Sequence, residues 1–369
     1  MDDSVVIRRM VSDALAGEPD IEVVGAAADG SIALQKITQV NPDIVTLDVE
    51  MPVLDGLETL RRLRRTHRHL PVVMFSTVTE RGAATTIEAL SLGANDYVTK
   101  PANVGSAAAA LEKIRGELIP KIRAQVSAAA RFSAPVTQAS PVPAPRTPLL
   151  RPAPHRGQSP VEVVAIGTST GGPNALGEIL PLLPRNFPVP IVIVQHMPPI
   201  FTRFFADRLS SKSQIHVCEA ANGQQLLSGE AYIAPGDFHM IVERVNGANR
   251  VRIHQEHPEN SCRPAVDVLF RSVAQVYTSR TLAIVMTGMG QDGLRGCEHI
   301  REAGGQVLAQ DAATSVVWGM PGAVVNAGLA EMVLPLTQLA AEIVRRVTQG
   351  HPSESLSTSC DASRVQSQP

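Results

Sequence analysis

The chain has 369 residues, which exceeds the usual size of a single hydrophobic core and predicts two domains. Its formal net charge of -2 and its hydrophobic content of 44% exclude a mainly disordered chain and the basic footprint of a nucleic-acid-binding protein. The sequence opens with no basic-then-apolar leader and has no apolar run long enough to cross a bilayer, so we expect a soluble, cytoplasmic protein without membrane insertion.

Two segments lack steady periodicity and divide the chain into two folded blocks. Residues 125–159 mix Pro, Ala, Ser and Arg, which predicts a semi-extended linker, and residues 351–369 are polar and aperiodic, which predicts a disordered tail. We therefore expect one domain over residues 1–124 and a second over residues 160–350. The cysteines have no C-x-x-C spacing, which argues against a structural zinc site or a disulfide framework; they are Cys218, Cys262, Cys297 and Cys360.

The first block alternates short β-rich runs, PDIVTLD and PVVMFST, with helical patterns such as GLETLRRLRRTHRHL, which predicts a parallel sheet with helices on both faces. Ligands bind at the carboxyl ends of such strands. Asp48, Ser76 and Lys100 each follow a strand and are expected to share that edge with Asp2 and Asp3. Converging carboxylates predict a Mg²⁺ site, and a hydroxyl and an ammonium beside it would suit a phosphoryl group. The alternative is that each acid only caps a helix or lies in a solvated loop.

The second block begins with VEVVAIGTSTGGPNALGEIL, which predicts a buried strand, a turn of small residues and a helix that starts near Pro173. Ser169, in that turn, has three possible roles: a helix cap, part of a phosphate loop, or a nucleophile. A cap explains one serine but not the glycines around it, and a phosphate loop would need a Lys or a further Gly that the segment lacks. The pattern G-x-S-x-G fits a nucleophile, although this motif is only moderately specific.

A serine nucleophile needs a base, and His196 follows the next buried run, VPIVIVQ. A parallel sheet would bring the end of that run beside the Ser169 turn. Among the ten histidines, only His239 in IAPGDFHM is a serious rival. Asp292 follows a third apolar run, TLAIVM, in the loop TGMGQDGLRG, where a carboxylate would orient the imidazole.

The turns around the predicted nucleophile and acid also supply backbone N–H groups. We expect the amides of Thr170 and Met289 to form an oxyanion hole, because both turns face the same cleft. A capping or Ca²⁺-binding role for Asp292 is the alternative, but GMGQDG lacks the alternating oxygen ligands of a calcium loop. The chain order Ser, His, Asp differs from the Ser, Asp, His order of α/β-hydrolases, which argues against an ordinary lipase or esterase.

Four segments of the first block, DDS, LDVEMPVLDGL, MFST and YVTKP, resemble a response-regulator receiver domain over essentially all of residues 1–124. The resemblance implies a flavodoxin-like α/β fold and a cis bond before Pro101. It further implies the following roles: Asp48 as phosphoacceptor, Asp2 and Asp3 as Mg²⁺-site acids beside it, Ser76 and Lys100 as phosphoryl-contacting switch residues, and Tyr97 as the aromatic switch.

This sequence differs from the receiver family at the first strand. The family has a whole strand before its acidic pair, whereas this sequence begins at Met1. In the flavodoxin-like strand order 2-1-3-4-5 that strand is interior, so its loss would remove apolar burial comparable to the stability of a whole domain. We therefore expect the first strand to be encoded upstream, and the receiver as written to fold poorly and to be phosphorylated weakly.

Six segments of the second block resemble the catalytic domain of the chemotaxis protein-glutamate methylesterases, the CheB family, nearly throughout residues 160–340. They are IGTSTGGPNAL, VQHMPPIFTRFFADRL, YIAPGDFHM, RPAVDVLF, MTGMGQDGLRG and QDAATSVVWGMP. The resemblance implies a doubly wound, mostly parallel α/β domain with Ser169 as nucleophile, His196 as general base and acid, and Asp292 as orienting acid. Ala265 departs from the family's R-P-S-V-D, which removes no member of the triad.

The resemblance implies phosphorylation-regulated hydrolysis of glutamate γ-methyl esters on chemoreceptors, with release of methanol, and a companion deamidation of receptor glutamines. The implied partners are the receptors and a chemotaxis histidine kinase as phosphodonor. We expect a monomer that needs Mg²⁺ for receiver phosphorylation but no metal for the esterase reaction. A generic serine esterase and a non-catalytic output module remain the two alternatives.

Overall fold

The structure is a computed structural model and describes residues 1–101, 106–133 and 159–349. Within these residues, no helix combines the length and the apolar character needed to cross a bilayer. The predicted tail and most of the predicted linker lie outside the described residues. The described part contains two blocks, each built on its own parallel sheet. We call them, after the families that they resemble, the receiver block (residues 1–101 and 106–133) and the catalytic block (residues 159–349).

The receiver block is a three-stranded parallel sheet with helices around it. Its strands are almost entirely buried, because the helices cover the sheet. In chain order its elements are α1 (Val5–Leu15), α2 (Gly30–Val40), β1 (Val45–Asp48), α3 (Gly56–Thr66), β2 (Val72–Ser76), α4 (Glu80–Ser91), β3 (Asp96–Thr99) and α5 (Ala107–Ser133). Side-chain caps at Asp29, Asp55 and Thr79 fix the starts of α2, α3 and α4.

The start of the chain lies between β1 and residues 21–27, which form no strand. Asp2 N donates to Ala27 O at 3.2 Å, while Met1 N donates to Thr46 O at 2.8 Å and Asp48 N donates to Met1 O at 2.9 Å. The rest of this interior position is a cavity of about 110 Å³ with largely apolar walls. The receiver sheet therefore has three strands in the described residues, and only Met1 and Asp2 occupy the position expected for a further interior strand.

Two predictions for the end of the receiver are wrong. The linker was expected from residue 125, but α5 continues to Ser133. The run QVSAAA has high helix propensity, and its first residue still packs on the domain. Gln125 is buried, and its Nε2 donates to Asn95 O at 3.4 Å. The bond before Pro101 is not cis; within the described residues the cis peptide is Arg263-Pro264. A proline permits the cis form but does not require it, since trans is favoured by about 0.5–1 kcal/mol.

The catalytic block is a seven-stranded sheet whose neighbouring strands all run parallel. The strands of this block are β4 (Val163–Thr168), β5 (Ile191–Gln195), β6 (His216–Glu219), β7 (Glu230–Ile233), β8 (His239–Val245), β9 (Ala248–His254), β10 (Thr281–Val285), β11 (Gln306–Gln310) and β12 (Met332–Leu334). The strand order in the sheet is β12-β11-β10-β4-β5-β7-β6, and β8 and β9 form a separate antiparallel hairpin.

Six helices cover this sheet, and apolar clusters fill both of its faces. They are α6 (Gly172–Ile179), α7 (Phe201–Lys212), α8 (Val266–Tyr277), α9 (Leu294–Glu302), α10 (Met320–Asn326) and α11 (Leu336–Gln349). The chain passes from β4 to β5 on one side and later returns to β10 on the other side of β4. This reversal of strand order creates a crevice at the carboxyl ends of the central strands, where α/β domains bind their ligands.

The receiver packs against α6 and α7 of the catalytic block through α4. The Tyr97 ring stacks on the Phe201 ring with 5.1 Å between centroids and 11° between planes. Arg203 at the start of α7 forms an ion pair of 2.8 Å with Glu80 at the start of α4. Because α6 and α7 follow the ends of β4 and β5, the receiver touches the two helices that lead away from the crevice.

Candidate functional site

Ser169 lies in a tight turn between β4 and α6. Its N–H donates to Thr287 O at 3.0 Å, and its carbonyl oxygen accepts from Gly172 N at 2.8 Å and from Gln195 Nε2 at 3.0 Å. Glycine is favoured at 172, because a Cβ there would lie 2.1 Å from Gln195 Oε1 and 2.4 Å from Thr168 Oγ1. The predicted order of strand, turn and helix is confirmed, with a proline in the first turn of α6. The backbone of Ser169 is thus fixed by three hydrogen bonds.

His196 lies one residue beyond β5, beside the Ser169 turn. Thr168 and Gln195 are register partners at the ends of β4 and β5, and His196 N donates to Thr168 O at 3.1 Å. The imidazole of His196 is hydrogen-bonded through Nε2 to Asp292 Oδ2 at 2.8 Å. The structure therefore brings the predicted base and the predicted acid into direct contact across 96 residues of sequence.

Asp292 is a buried carboxylate with an unusually complete set of donors. Besides His196, its Oδ2 accepts from Val266 N at 2.6 Å, and its Oδ1 accepts from Asp267 N and from Gly293 N, each at 3.0 Å. These amides include the first turn of α8, whose N-cap residue, Ala265, makes no side-chain cap. Asp292 caps α8 from another part of the chain, so the helix dipole also favours its negative charge.

The electrostatics of this pair favour a charged histidine. Burial alone would lower the pKa of His196, but the hydrogen bond to Asp292 and the contact with Cys262 outweigh it and raise the pKa to about 9. Burial likewise would raise the pKa of Asp292, but His196 and the amides of Asp267 and Val266 hold it below its usual range. Asp292 is therefore ionised at neutral pH and stabilises the imidazolium.

The two predicted oxyanion donors lie beside the serine. Within the described residues, neither Thr170 N nor Met289 N donates a hydrogen bond to a protein group. Gly288 packs directly on the serine, since a Cβ at Gly288 would lie 2.9 Å from Ser169 Cβ and 3.1 Å from Ser169 N. Both turns therefore offer unpaired amides at the crevice, which is the chemistry that an oxyanion requires.

The structure does not join Ser169 to His196. Within the described residues, Ser169 Oγ makes no hydrogen bond to the ring, and His196 Nδ1 faces Cys262 Sγ at 3.6 Å instead. Since Nε2 is occupied by Asp292, Nδ1 is the nitrogen left to accept a proton. Hydrogen bonds between catalytic groups are often long in ligand-free enzymes and shorten when the substrate binds.

Three residues of this site were not singled out from the sequence. Asn260 donates from Nδ2 to Asp267 Oδ2 at 2.8 Å and to Asp292 Oδ1 at 2.9 Å, and so links two acids. Asp267 is buried and accepts from Gly293 N and Gly296 N. Cys262 is half-buried beside His196. The segment ENSCRPAVD contains all three, so their clustering in sequence was the available signal.

His239, the rival base, lies away from the serine with both ring nitrogens engaged. Its Nε2 lies 3.1 Å from His257 O, and its Nδ1 accepts from Ala265 N at 3.3 Å. Burial lowers the pKa of His239. The ring is therefore part of the packing around β8 and α8, with no nitrogen directed at Ser169.

The receiver acids form a second cluster at the carboxyl ends of β1 and β3. Lys100 Nζ lies 2.7 Å from Asp48 Oδ2 and 2.8 Å from Asp2 Oδ2. Burial raises the pKa of Asp48 to about 6, and the neighbouring Asp2 adds to this, while Lys100 opposes it. Carboxylate oxygens of Asp2, Asp3 and Asp48 lie within 4.8 Å of one another.

This cluster fits a hard divalent cation. All three groups are carboxylates, and Asp2 Oδ2 is buried and accepts no hydrogen bond, despite its ion pair with Lys100. Mg²⁺ prefers such oxygen ligands. Two of the three predicted switch residues point away from this cluster: Ser76 Oγ donates to Gly82 O at 3.1 Å, and Tyr97 is buried against Phe201.

Comparison with known proteins gives the same two blocks. Residues 164–343 match the family model described as CheB methylesterase, and residues 1–112 match the one described as response regulator receiver domain. In structure, the chain is similar to the Thermotoga maritima CheB methylesterase catalytic domain, with a TM-score of 0.50 and 44% sequence identity. This similarity covers 50% of the present chain and 98% of that one.

Relatives of the same architecture match almost the whole length. The protein-glutamate methylesterase/protein-glutamine glutaminase of Trichodesmium erythraeum (strain IMS101) is 55% identical over 347 residues, which cover 94% of this chain and 97% of that protein. The protein of the same name from Nocardioides sp. (strain ATCC BAA-499 / JS614) is 51% identical over 359 residues, with 96% of each chain covered.

Proposed function

Because this chain belongs to the family of CheB methylesterases, we propose that Ser169, His196 and Asp292 hydrolyse glutamate γ-methyl esters on chemoreceptors and release methanol. The enzyme is a hydrolase with a receiver domain, and the names of its relatives indicate protein-glutamine deamidation as a second activity, for which we propose receptor glutamines as the substrate. The observation that carries the proposal is the partly buried His196–Asp292 hydrogen bond beside a serine turn with unpaired amides.

The hydrolysis has two steps, acylation of the serine and hydrolysis of the acyl-enzyme, and both use the same catalytic groups. Ser169 Oγ attacks the ester carbonyl carbon while His196 Nδ1 takes its proton, and the amides of Thr170 and Met289 bind the oxyanion. The tetrahedral intermediate breaks the bond to methoxide, which leaves as methanol with the proton from His196. Water then attacks the acyl-enzyme with His196 as base and regenerates Ser169. A glutamine follows the same route with ammonia as the leaving group.

The receiver block would regulate the esterase activity through phosphorylation. We propose that Asp48 accepts a phosphoryl group from a chemotaxis histidine kinase, and that Asp2, Asp3 and Asp48 hold the Mg²⁺. The cation, when bound, neutralises charge on the phosphoryl oxygens. Lys100, now paired with Asp48, would contact the phosphoryl group, and Ser76 would turn toward it. Tyr97, stacked on Phe201, connects this site to α7 and hence to the segment that follows His196.

The proposal is tested with methylated chemoreceptor and purified full-length enzyme. We expect methanol to be released from the receptor much faster than short acyl esters are cleaved, because a generic serine esterase would show the opposite preference. A serine-directed phosphonate should block the reaction and label Ser169. Failure of any phosphonate adduct to form would favour a non-catalytic output module.

The raised pKa of His196 predicts an alkaline rate profile. A general base must be neutral to accept a proton, and a histidine with a pKa of about 9 is protonated below that pH. We expect kcat/KM to rise with pH up to about 9. Cys262→Ala removes one of the contacts that raise this pKa, so its profile should shift to lower pH. The Ser169→Ala rate at each pH provides the background of uncatalysed ester hydrolysis, and a profile flat between pH 6 and 9 would contradict the assignment of His196.

The receiver contacts predict inhibition by the unphosphorylated domain. Removal of residues 1–133, which include all of α5, should raise basal esterase activity several-fold by freeing α6 and α7. In the full chain, Arg203→Ala breaks the ion pair with Glu80 and should raise activity slightly. Arg61→Ala, which breaks a matched pair with Glu88 inside the receiver, should not. A catalytic domain no faster than the unphosphorylated full chain would count against inhibition by docking.

A further inference from the structure

The two ring nitrogens of His196 have different neighbours. Nε2 pairs with Asp292 Oδ2 at 2.8 Å, while Nδ1 faces Cys262 Sγ at 3.6 Å. One ring nitrogen, the sulfur and a carboxylate oxygen of Asp292 all lie within 4.8 Å of one another. Imidazole nitrogen and thiolate sulfur are ligands that Zn²⁺ prefers over the hard cations.

We propose that Cys262 and His196 form an inhibitory Zn²⁺ site inside the esterase crevice. Zinc binds sulfur at about 2.3 Å and imidazole nitrogen at about 2.0 Å, and a tetrahedral angle between these bonds separates the two ligand atoms by about 3.5 Å. Sγ and Nδ1 are 3.6 Å apart before any ion binds. The separation of the two ligand atoms therefore already matches that required to share a metal.

The histidine is already oriented as zinc-bound histidines are. Such residues usually bind the metal with one nitrogen and donate the other N–H to a carboxylate, which fixes the ring. Asp292 has this position opposite the thiol, and its own orientation is held by the amides of Val266, Asp267 and Gly293. Both oxygens of Asp292 already accept at least two hydrogen bonds, so it serves the site by orienting His196.

The thiol is equally well placed. Cys262 exchanges two backbone hydrogen bonds with Glu259, at 2.9 and 3.1 Å, and the Glu259 carboxylate is held by Arg271 at 2.7 and 2.9 Å. Cys262 is half-buried, and the His196 side chain is 14% exposed, so an ion can enter from the crevice. Two waters complete a tetrahedral coordination, one more than in catalytic zinc sites, which have three protein ligands. The ligands lie 66 residues apart, which explains why no metal-binding spacing exists in the sequence.

Binding at this site would stop catalysis at a defined atom. The thiol loses its proton to solvent as the sulfur binds, and the metal occupies His196 Nδ1. Under the proposed function, Nδ1 is the nitrogen that accepts the Ser169 proton; the inhibition rests on that function, whereas the binding does not. The receiver acids offer oxygen ligands alone, so Mg²⁺ should bind there without affecting the thiol site.

The test uses the full-length, metal-stripped enzyme and two metals. Co²⁺, which takes the place of Zn²⁺ and is visible in spectra, should produce a thiolate-to-cobalt charge-transfer band together with tetrahedral d–d bands. Zn²⁺ should displace the cobalt and inhibit methyl-ester hydrolysis, while Mg²⁺ should do neither. Cys262→Ala should abolish the charge-transfer band and weaken zinc inhibition by at least about 10-fold, each measured against its own metal-free rate. Cys218→Ala, at another half-buried free thiol, should leave both unchanged.

Ser169→Ala separates this proposal from the proposed function. We expect it to lose hydrolysis yet keep the cobalt band at wild-type intensity, because the hydroxyl is not a required ligand. An active Ser169→Ala with the band still dependent on Cys262 would overturn the triad and leave the metal site standing. The metal site is wrong if the wild-type enzyme gives no charge-transfer band, or if the band survives in Cys262→Ala.

Discussion

Ser169→Ala is expected to reduce methyl-ester hydrolysis by ~10⁴-fold or more while leaving the fold intact. Loss of a serine nucleophile leaves only the contributions of the oxyanion hole and of substrate binding. Within the part of the chain that the structure describes, the hydroxyl makes no hydrogen bond, and the three hydrogen bonds of Ser169 to Thr287, Gly172 and Gln195 all use its backbone. Thermal unfolding of the variant should therefore resemble that of the wild-type enzyme.

The measurement is single-turnover methanol release from methylated receptor, with the melting temperature recorded on the same preparation. Cys262 is a second nucleophile at this site, because its Sγ faces His196 Nδ1 at 3.6 Å, so any residual rate must be assigned. Ser169→Ala combined with Cys262→Ala makes this assignment: a residual rate that disappears only in the double variant belongs to the thiol. Retention of a tenth of the wild-type rate by the double variant would mean that Ser169 is not the nucleophile.

The local pattern of the sequence was sufficient to predict which residues follow the carboxyl ends of the strands in the catalytic block. Ser169 and His196 each follow a continuous apolar run, and parallel pairing of two such runs places their ends side by side with little freedom in register. The same reasoning reached Asp292 because its loop directly follows β10, the other neighbour of β4. These positions depend on strand pairing alone, which periodicity reveals.

Contacts made by loops far apart in sequence could not be predicted in this way. Cys262 and Asn260 reach His196 and Asp292 from a short hairpin before α8, and Asn260 has the left-handed conformation, with φ of 53°. Neither hydrophobic periodicity nor the spacing of residues in the sequence predicts that this hairpin contacts His196 and Asp292. The full length of α5 was not predicted for a different reason, which is local. The linker was assigned from its overall composition, and this ignored the helix propensity of its alanine-rich first residues.

Asp292→Asn is expected to reduce hydrolysis by about 10⁴-fold and to destabilise the enzyme as well. An amide cannot stabilise the imidazolium or enforce the tautomer of His196, and this substitution in a triad has an effect of that size. Each oxygen of Asp292 accepts from at least one backbone N–H, Val266 at Oδ2 and Asp267 at Oδ1. Whichever way the amide turns, its NH₂ group faces another donor, which costs about 1–3 kcal/mol of stability.

Asp267→Asn is the matched control because Asp267 is a buried neighbour that supports the same loop without contacting His196. Its Oδ1 accepts from Gly293 N and Gly296 N, and these two bonds can remain in the variant; the bond that is lost is the one from Asn260 Nδ2 to Oδ2. An asparagine there should keep most of the hydrogen bonds, so we expect a loss of stability similar to or smaller than that of Asp292→Asn, with far more activity retained. Equal losses of activity in the two variants, measured below the melting temperature of each, would show that Asp292 acts by holding the loop rather than by orienting His196.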